Sequence, residues 1–253
     1  MSYHFMENDW FKNWFGEDYL QVYSHRNANE SEVFINTLTG LIALKPGSSI
    51  LDLCCGAGRY SILLAKKDFK VTGVDLSEVL IRSAKKKAAD LKADVNFEVK
   101  DMRSIIYESE FDLIINMFTS FGYFESEAEN EKVIRSVYRS LKTGSYFVLD
   151  YLNCAQIVTN LQPYDEYKHN NILIQQYRKI NRNNNRVEKT IKLIENEKEK
   201  TFFESVRLYN PDDLKRMFKQ NGFEIKYELG NYLGEEYCEE SPRYILIGRK
   251  PDA

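Results

Sequence analysis

The chain of 253 residues has no apolar run approaching the roughly 20 residues that a membrane-spanning helix requires. Its longer ones, such as Ile62-Leu63-Leu64-Ala65 and Leu113-Ile114-Ile115, stop far short. A basic excess is missing too: a net charge of -3 and a pI near 5.8 give no general attraction to nucleic acid, and Lys85-Lys86-Lys87 reads as a solvated helix face. Cysteines are few. The 4 present include the adjacent Cys54-Cys55 but no CxxC pair, which excludes a disulfide framework and leaves reduced thiols as the expectation. The 3 histidines, His4, His25 and His169, are scattered with no zinc-like spacing, so no metal is expected. The opening Met1-Ser2-Tyr3-His4-Phe5-Met6-Glu7 lacks the basic start and apolar middle of a secretory signal, and Glu7, Asp9, Glu17 and Asp18 do not suit a transit peptide. A cytoplasmic address is therefore expected.

What the chain does have is the balance of a globular protein, with 43% hydrophobic and 29% charged residues, which excludes intrinsic disorder. Its length exceeds the roughly 150 residues of an average domain, so a core with an appendage is expected. Aromatics reach 13% and crowd the start, where Trp10 and Trp14 lie among Phe5, Phe11, Phe15, Tyr19 and Tyr23. From Ser49 to Tyr151 short apolar runs alternate with amphipathic stretches, the pattern of βα units on a parallel sheet. Strands are expected at 49–54, 69–75, 95–99, 111–117 and 146–150, with helices at 60–67, after the N-cap Ser77, and at 127–141. Residues 164–208 change character: turn clusters at 169–171 and 181–185 separate alternating segments, so antiparallel hairpins with one covered face are expected. Val187, Ile191 and Leu193 share one strand face there, and Phe202, Val206 and Leu208 another. The α/β pattern then resumes, with Asn210 as cap, Pro211 at the first helical position and strands at 223–229 and 244–248.

The most informative stretch is Ile50-Leu-Asp-Leu-Cys-Cys-Gly-Ala-Gly-Arg-Tyr60, a strand running through Gly56-x-Gly58 into a helix. Bare glycine lets a ligand lie against backbone at the carboxyl end of the sheet, where doubly wound folds bind. One strand later Asp75 is placed to accept two hydrogen bonds from a ribose diol, and together these residues describe an adenosine site. A dinucleotide fold requires Gly or Ala at position 61, but Ser61 stands there, so the NAD fingerprint is broken. Taken alone, a GxG is also an ordinary strand-to-helix turn.

The run Asp52-Leu-Cys-Cys-Gly56-Ala-Gly58, with Asp75-Leu76, Asp101-Met102 and Met117-Phe118, resembles the class I S-adenosylmethionine-dependent methyltransferases. Asp101-Met-Arg103, Met117-Phe-Thr-Ser-Phe-Gly-Tyr123 and the β-insertion before Leu208-Tyr209 look most like the amino-sugar N,N-dimethyltransferases, and more loosely like glycine N-methyltransferase. The resemblance implies an α/β, doubly wound, seven-stranded and mostly parallel Rossmann-like sheet with an N-terminal helical lid and an inserted antiparallel β-layer. The expected division is a lid at 1–46, a cofactor domain at 47–151 and 209–253, and an insertion at 152–208. It implies S-adenosyl-L-methionine as cofactor, with S-adenosyl-L-homocysteine as product. Asp75 would hold the ribose hydroxyls, Asp101 the adenine amino group and the Met102 backbone the ring edge, with Cys55, Gly56 and Gly58 in the turn and Leu76 and Met117 as apolar walls. Asp101 has a second reading, as N-cap of the short helix that follows. Tyr23 and Arg26 match a Tyr and Arg three residues apart in the dimethyltransferases, so Arg26 would pair with the methionyl carboxylate while Tyr23 packs over the methionyl chain; the other reading of Arg26 is a surface side chain.

Methyl transfer is an in-line displacement that needs an unprotonated acceptor about 3 Å away and little water. Tyr123 is the candidate catalytic residue. One amino-sugar relative has a histidine at that position, whereas a phenol near pKa 10 is mostly protonated, so Tyr123 is expected to orient the acceptor. Tyr19, Phe121, Tyr209 and Arg243 are placed around the acceptor. Their alternatives are core packing for the aromatics and an ion pair with Glu239 or Glu240 for Arg243. The expected function is methyl transfer to an N or O atom of a small molecule; the alternatives are methylation of RNA or protein, and a non-catalytic cofactor-binding scaffold. No nucleic-acid or membrane partner is expected, and the insertion is expected to double as a homodimer contact.

Overall fold

A computed structural model describes residues 10–23 and 28–252. Five parallel strands build its centre: β1 (Ser49–Leu53), β2 (Lys70–Asp75), β3 (Val95–Val99), β4 (Phe111–Asn116) and β5 (Leu141–Leu152). Near the C-terminus, β10 (Glu224–Leu229) and β11 (Arg243–Arg249) complete the sheet in the order β10-β11-β5-β4-β1-β2-β3, with β11 antiparallel to both neighbours. β1 and β4 carry apolar residues on both faces because helices cover both; Ile50, Leu51, Leu113 and Ile114 are fully buried. The chain leaves β1 toward β2 and returns on its other side through β4, so the loops after β1 and β4 open away from each other and leave a crevice between them.

Each face is covered by helices whose apolar stripes match it. On one side α3 (Ala28–Leu41) and α4 (Arg59–Ala65) bring Phe34, Ile35, Leu38, Tyr60 and Leu64 onto Ile50, Leu113 and Ile245. On the other, α6 (Glu127–Ser140) and α8 (Pro211–Gln220) bring Val133, Ile134, Val137, Leu214, Met217 and Phe218 onto Phe147 and Leu149. The start of α8 has the expected Asn210 cap, extended to a reciprocal box with Asp213, and Pro211 behind it. Between β2 and β3, α5 (Glu78–Asp90) is capped by Ser77, whose Oγ accepts from the Leu80 amide. Its Ile81, Ala84 and Ala88 pack with Ile62 and Phe97.

α3 thus belongs to the sheet's cover, and among the described residues of the N-terminal segment it is α1 (Trp10–Trp14) and α2 (Glu17–Val22) that lie over the crevice. β5 begins at Leu141, several residues before the expected strand, because Gly144 at φ 76 bends it and both Gly144 and Ser145 bond Lys250 across the sheet edge. The insertion opens with a helix, α7 (Cys154–Asn160), before its antiparallel sheet of β6 (Tyr164–His169), β7 (Ile172–Asn181), β8 (Arg186–Glu195) and β9 (Lys198–Arg207). The Asn170-Asn171 and Asn196-Glu197 turns have both residues at positive φ, the conformation that suits tight hairpins. The covered face of this sheet meets the lid: the Trp14 and Phe202 ring centroids are 4.6 Å apart, and Lys200 pairs with Asp18 at 2.8 Å.

Gly58 caps α4 at φ 77, where an added Cβ would meet Phe97 Cζ at 2.8 Å and Ala84 Cβ at 3.0 Å. Gly58→Ala is therefore expected to cost roughly 2–4 kcal/mol and to lower the calorimetric Tm by about 5–10 °C, through left-handed strain and the forced displacement of Phe97.

Candidate functional site

The crevice holds a cavity of about 590 Å³. The half expected to take the cofactor is built by the loops after β1, β2 and β3, with Cys54, Cys55, Gly56, Asp75, Leu76, Asp101 and Met102 on the wall. Cys54 takes φ 61, which turns the chain sharply out of β1, and a Cβ on Gly56 would face open space. The Asp75 carboxylate is held by two main-chain donors at 2.9 Å each, Gly56 N–H to Oδ2 and Ser77 N–H to Oδ1. Burial raises its pKa against the opposing pull of these two bonds. The thiols of Cys54 and Cys55 are pushed up by burial and stay neutral, with Cys54 Sγ 3.5 Å from Met102 Sδ.

Asp101 has the N-cap role that was its second reading. It caps the turn Met102–Ser104 by accepting from the Arg103 amide at 2.8 Å, and it lines the cavity. Burial pushes its pKa up, but the side-chain and backbone bonds from Arg103, with the charge of that guanidinium, together hold it low. Gly58 stands behind the turn, packed on Phe97, and is not among the wall residues. Asp52 lies beneath, 2% exposed, and accepts from Ser61 Oγ at 2.6 Å. The serine that breaks the dinucleotide pattern thus satisfies the acidic residue of the motif.

Burial raises Asp52 from an ordinary carboxylate value of 3.8 to about 6. The native chain therefore keeps a proton that the unfolded chain releases between about pH 4 and about pH 6, so this group's contribution to stability falls as pH rises through that window and stays lost above it. Asp52→Asn retains an acceptor for Ser61 and removes that loss. Between pH 4.5 and 7 the variant is expected to gain about 2 kcal/mol on wild type, about 4–8 °C in Tm, by paired thermal melts.

The half expected to take the acceptor lies between the loop after β4, the lid and the inserted sheet. Tyr123 stacks among lid rings, with centroids 4.8 Å from Trp10, 5.9 Å from Phe15 and 6.4 Å from Phe11. This burial drives its phenol pKa well up, so it remains protonated. Phe15 in turn accepts a hydrogen bond on its carbonyl from Ser77 Oγ, which ties the lid to the residue beside Asp75. Tyr19 packs between Phe15 and Tyr23 at 5.0 and 4.8 Å. The Tyr23 hydroxyl is engaged by the inserted sheet, donating to Glu204 at 3.2 Å and accepting from Lys189 at 2.6 Å. Arg26 and His25 lie outside the described residues.

Two expected acceptor residues are core. Phe121 and Tyr209 are 1% and 4% exposed, pack edge-on or tilted against each other and Tyr151, and do not line the cavity. Arg243 does line it, and its carboxylate partner is Asp150, reached at 2.8 Å; it also donates to Thr119 Oγ1 at 2.9 Å. Asp150 is the hub that sequence reasoning missed. Fully buried, it also accepts from the Phe118 amide at 2.9 Å and the Tyr232 hydroxyl at 2.8 Å. It thereby holds Phe118 and Thr119 at φ 59 and 60, a strained pair at the cavity mouth where Met117 supplies the apolar wall.

Also missed were Arg178, Lys189 and Glu204, which lie directly opposite one another across β7, β8 and β9 and all line the cavity. The neighbouring rows are Gln176, Ile191 and Phe202 on one side and Ile180, Val187 and Val206 on the other. A charged row inside a mostly apolar face is a signal that the alternation around Val187, Ile191 and Leu193 already carried. A larger, more open groove of about 920 Å³ runs between α8 and β10, away from the glycine turn; there Lys215 pairs with Asp212 and Glu228, Arg216 with Asp213 and Lys226 with Glu224.

A doubly wound sheet whose first strand runs through a glycine turn into a helix, with an acid at the end of the second strand, defines a Rossmann-like protein. The family model described as a methyltransferase domain matches residues 44–222, and the chain belongs to that family. Among curated proteins it is 36% identical over 102 residues to the putative methyltransferase YqeM of Bacillus subtilis, covering 40% of this chain and 41% of that protein. It is also 33% identical over 127 residues to phosphoethanolamine N-methyltransferase 1 of Arabidopsis thaliana, covering 49% of this chain and 25% of the other. The chain thus matches less than half the length of these relatives. Among solved structures, an S-adenosylmethionine-dependent methyltransferase from Clostridium acetobutylicum superimposes with a TM-score of 0.80 at 18% identity, covering 92% of this chain and 96% of the other. The sugar N-methyltransferase KedS8 from Streptoalloteichus superimposes with a TM-score of 0.71 at 18% identity, over 93% and 92%. At such identities the likeness is one of fold.

Proposed function

We propose that the protein is an S-adenosylmethionine-dependent methyltransferase acting on an N or O atom of a small molecule. The observation that carries this reading is the Asp75 carboxylate, held by the Gly56 and Ser77 amides at the wall of a cavity whose turn is bare at Gly56. These residues fit the cofactor's ribose, and Asp101, Met102 and Leu76 fit its base. S-adenosylmethionine bound there supplies an activated methyl group. The chain's own residues bind, orient and exclude water: Trp10, Phe11 and Phe15 cover Tyr123 from the lid side, and Val187 and Val206 form the far wall. This cover supports a small acceptor over a macromolecular one, and the charged row of Arg178, Lys189 and Glu204 offers it polar contacts.

The test is calorimetry with S-adenosylhomocysteine, followed by labelled-methyl transfer to a panel of small amines and alcohols. Absence of binding to wild type would end the reading, and tight binding without turnover would favour a scaffold. Because the Tyr123 phenol is held protonated, it orients the acceptor and does not take its proton. Tyr123→Phe is thus expected to keep turnover within about tenfold of wild type, whereas loss of a true general base costs about 10²–10⁴.

A further inference from the structure

Arg186, at the start of β8, is 4% exposed, and its bonds go to main-chain oxygens and a serine instead of a carboxylate. Its Nη2 donates to Gly122 O at 3.0 Å, Tyr123 O at 2.8 Å and Ser205 O at 2.8 Å; Nη1 donates to Phe124 O at 3.1 Å, and Nε to Ser205 Oγ at 2.7 Å. A buried cation is costly unless its donors are engaged, and the planar guanidinium fork spreads its donors widely enough to address three consecutive carbonyls at once. The carbonyls it engages belong to the segment that presents Tyr123. The Arg207 amide grips the same segment, donating to Gly122 O at 2.9 Å, and Gly122 sits at φ 78 with a would-be Cβ 2.5 Å from the Tyr151 hydroxyl. Asp150 holds the other end of the loop at Phe118 and Thr119. The clamped ends include two non-glycine residues in left-handed conformation, Phe118 and Thr119, which the chain would not hold unaided, and Gly122, whose positive φ glycine alone adopts without strain.

We propose that Arg186 is a positioning residue: through it the inserted sheet sets where the Tyr123 ring stands in the acceptor half of the cavity. This rests on the methyltransferase reading, in which that ring faces the transferred methyl group. The insertion is therefore part of the reaction geometry as well as a wall, and a change in β8 reaches Tyr123 without touching the cofactor half.

The experiment is nuclear magnetic resonance of S-adenosylmethionine carrying a carbon-13 methyl, bound to the full chain, because that resonance reports nearby aromatic rings. Tyr123→Leu is expected to displace it. Arg186→Leu is expected to displace it by at least half as much while S-adenosylhomocysteine affinity stays within about threefold of wild type. Arg186→Lys keeps the charge and some of the donors and is expected to fall between Arg186→Leu and wild type. The proposal is overturned if Arg186→Leu leaves the resonance at its wild-type position, if Tyr123→Leu fails to move it, or if Arg186→Lys recovers nothing. It is equally overturned if Arg186→Leu loses cofactor affinity by more than about tenfold, which marks a merely structural role. Failure of wild type to bind S-adenosylhomocysteine would defeat the methyltransferase reading instead, and calorimetry separates the two.

Discussion

Asp75→Ala is expected to weaken S-adenosylhomocysteine binding by about 100-fold in Kd, equivalent to about 3 kcal/mol. The carboxylate is set before any ligand arrives, because the Gly56 and Ser77 amides each fix one oxygen at 2.9 Å. The remaining lone pairs can accept two hydroxyl protons with little reorganisation. Alanine removes both acceptors and leaves two main-chain donors unpaired at the turn. Asp75→Asn is expected to do little better, since its amide group must confront one of those donors. Calorimetry decides: binding within about threefold of wild type in a correctly folded Asp75→Ala variant would show that the diol site lies elsewhere.

The second large effect is on stability. Asp150→Ala is expected to cost about 3–5 kcal/mol, because it leaves the Arg243 guanidinium without its buried counter-charge. The same change releases the Phe118 amide and the Tyr232 hydroxyl, which share Asp150 Oδ2. Scanning calorimetry should show a Tm lower by about 10–15 °C for a chain of this length. A shift under about 2 °C would mean that the strained Phe118-Thr119 pair is held by other contacts.

Legibility in the sequence followed distance along the chain. The β1 turn, the acid closing β2 and the caps at Ser77 and Asn210 were readable because each is a local pattern of a few residues. The charged partners were not. The ion-pair alternative for Arg243 looks to its near neighbours Glu239 and Glu240, but β11 lies beside β5, so Asp150 meets it across the sheet. Trp14 finds Glu204 at a separation of 190 residues. Residue type alone also left the aromatics undecided, since a ring lining a cavity and one filling a core bury similar area. Tyr19 and Tyr123 line the cavity, whereas Phe121 and Tyr209 close on Tyr151.

Among the described residues no helix is long and apolar enough to cross a membrane, and no metal-binding cluster of His, Cys, Asp or Glu occurs. By itself the sequence determined the βα order, the glycine turn, the acid that closes β2 and the presence of a lid and an insertion, because apolar periodicity and turn chemistry act over a few residues. Tertiary structure alone decided which side chains share the cavity, which carboxylate steadies Arg243 and which cation holds the Tyr123 loop. Those pairings depend on strand order and on packing between distant segments, and burial makes them energetically decisive only once the fold has closed.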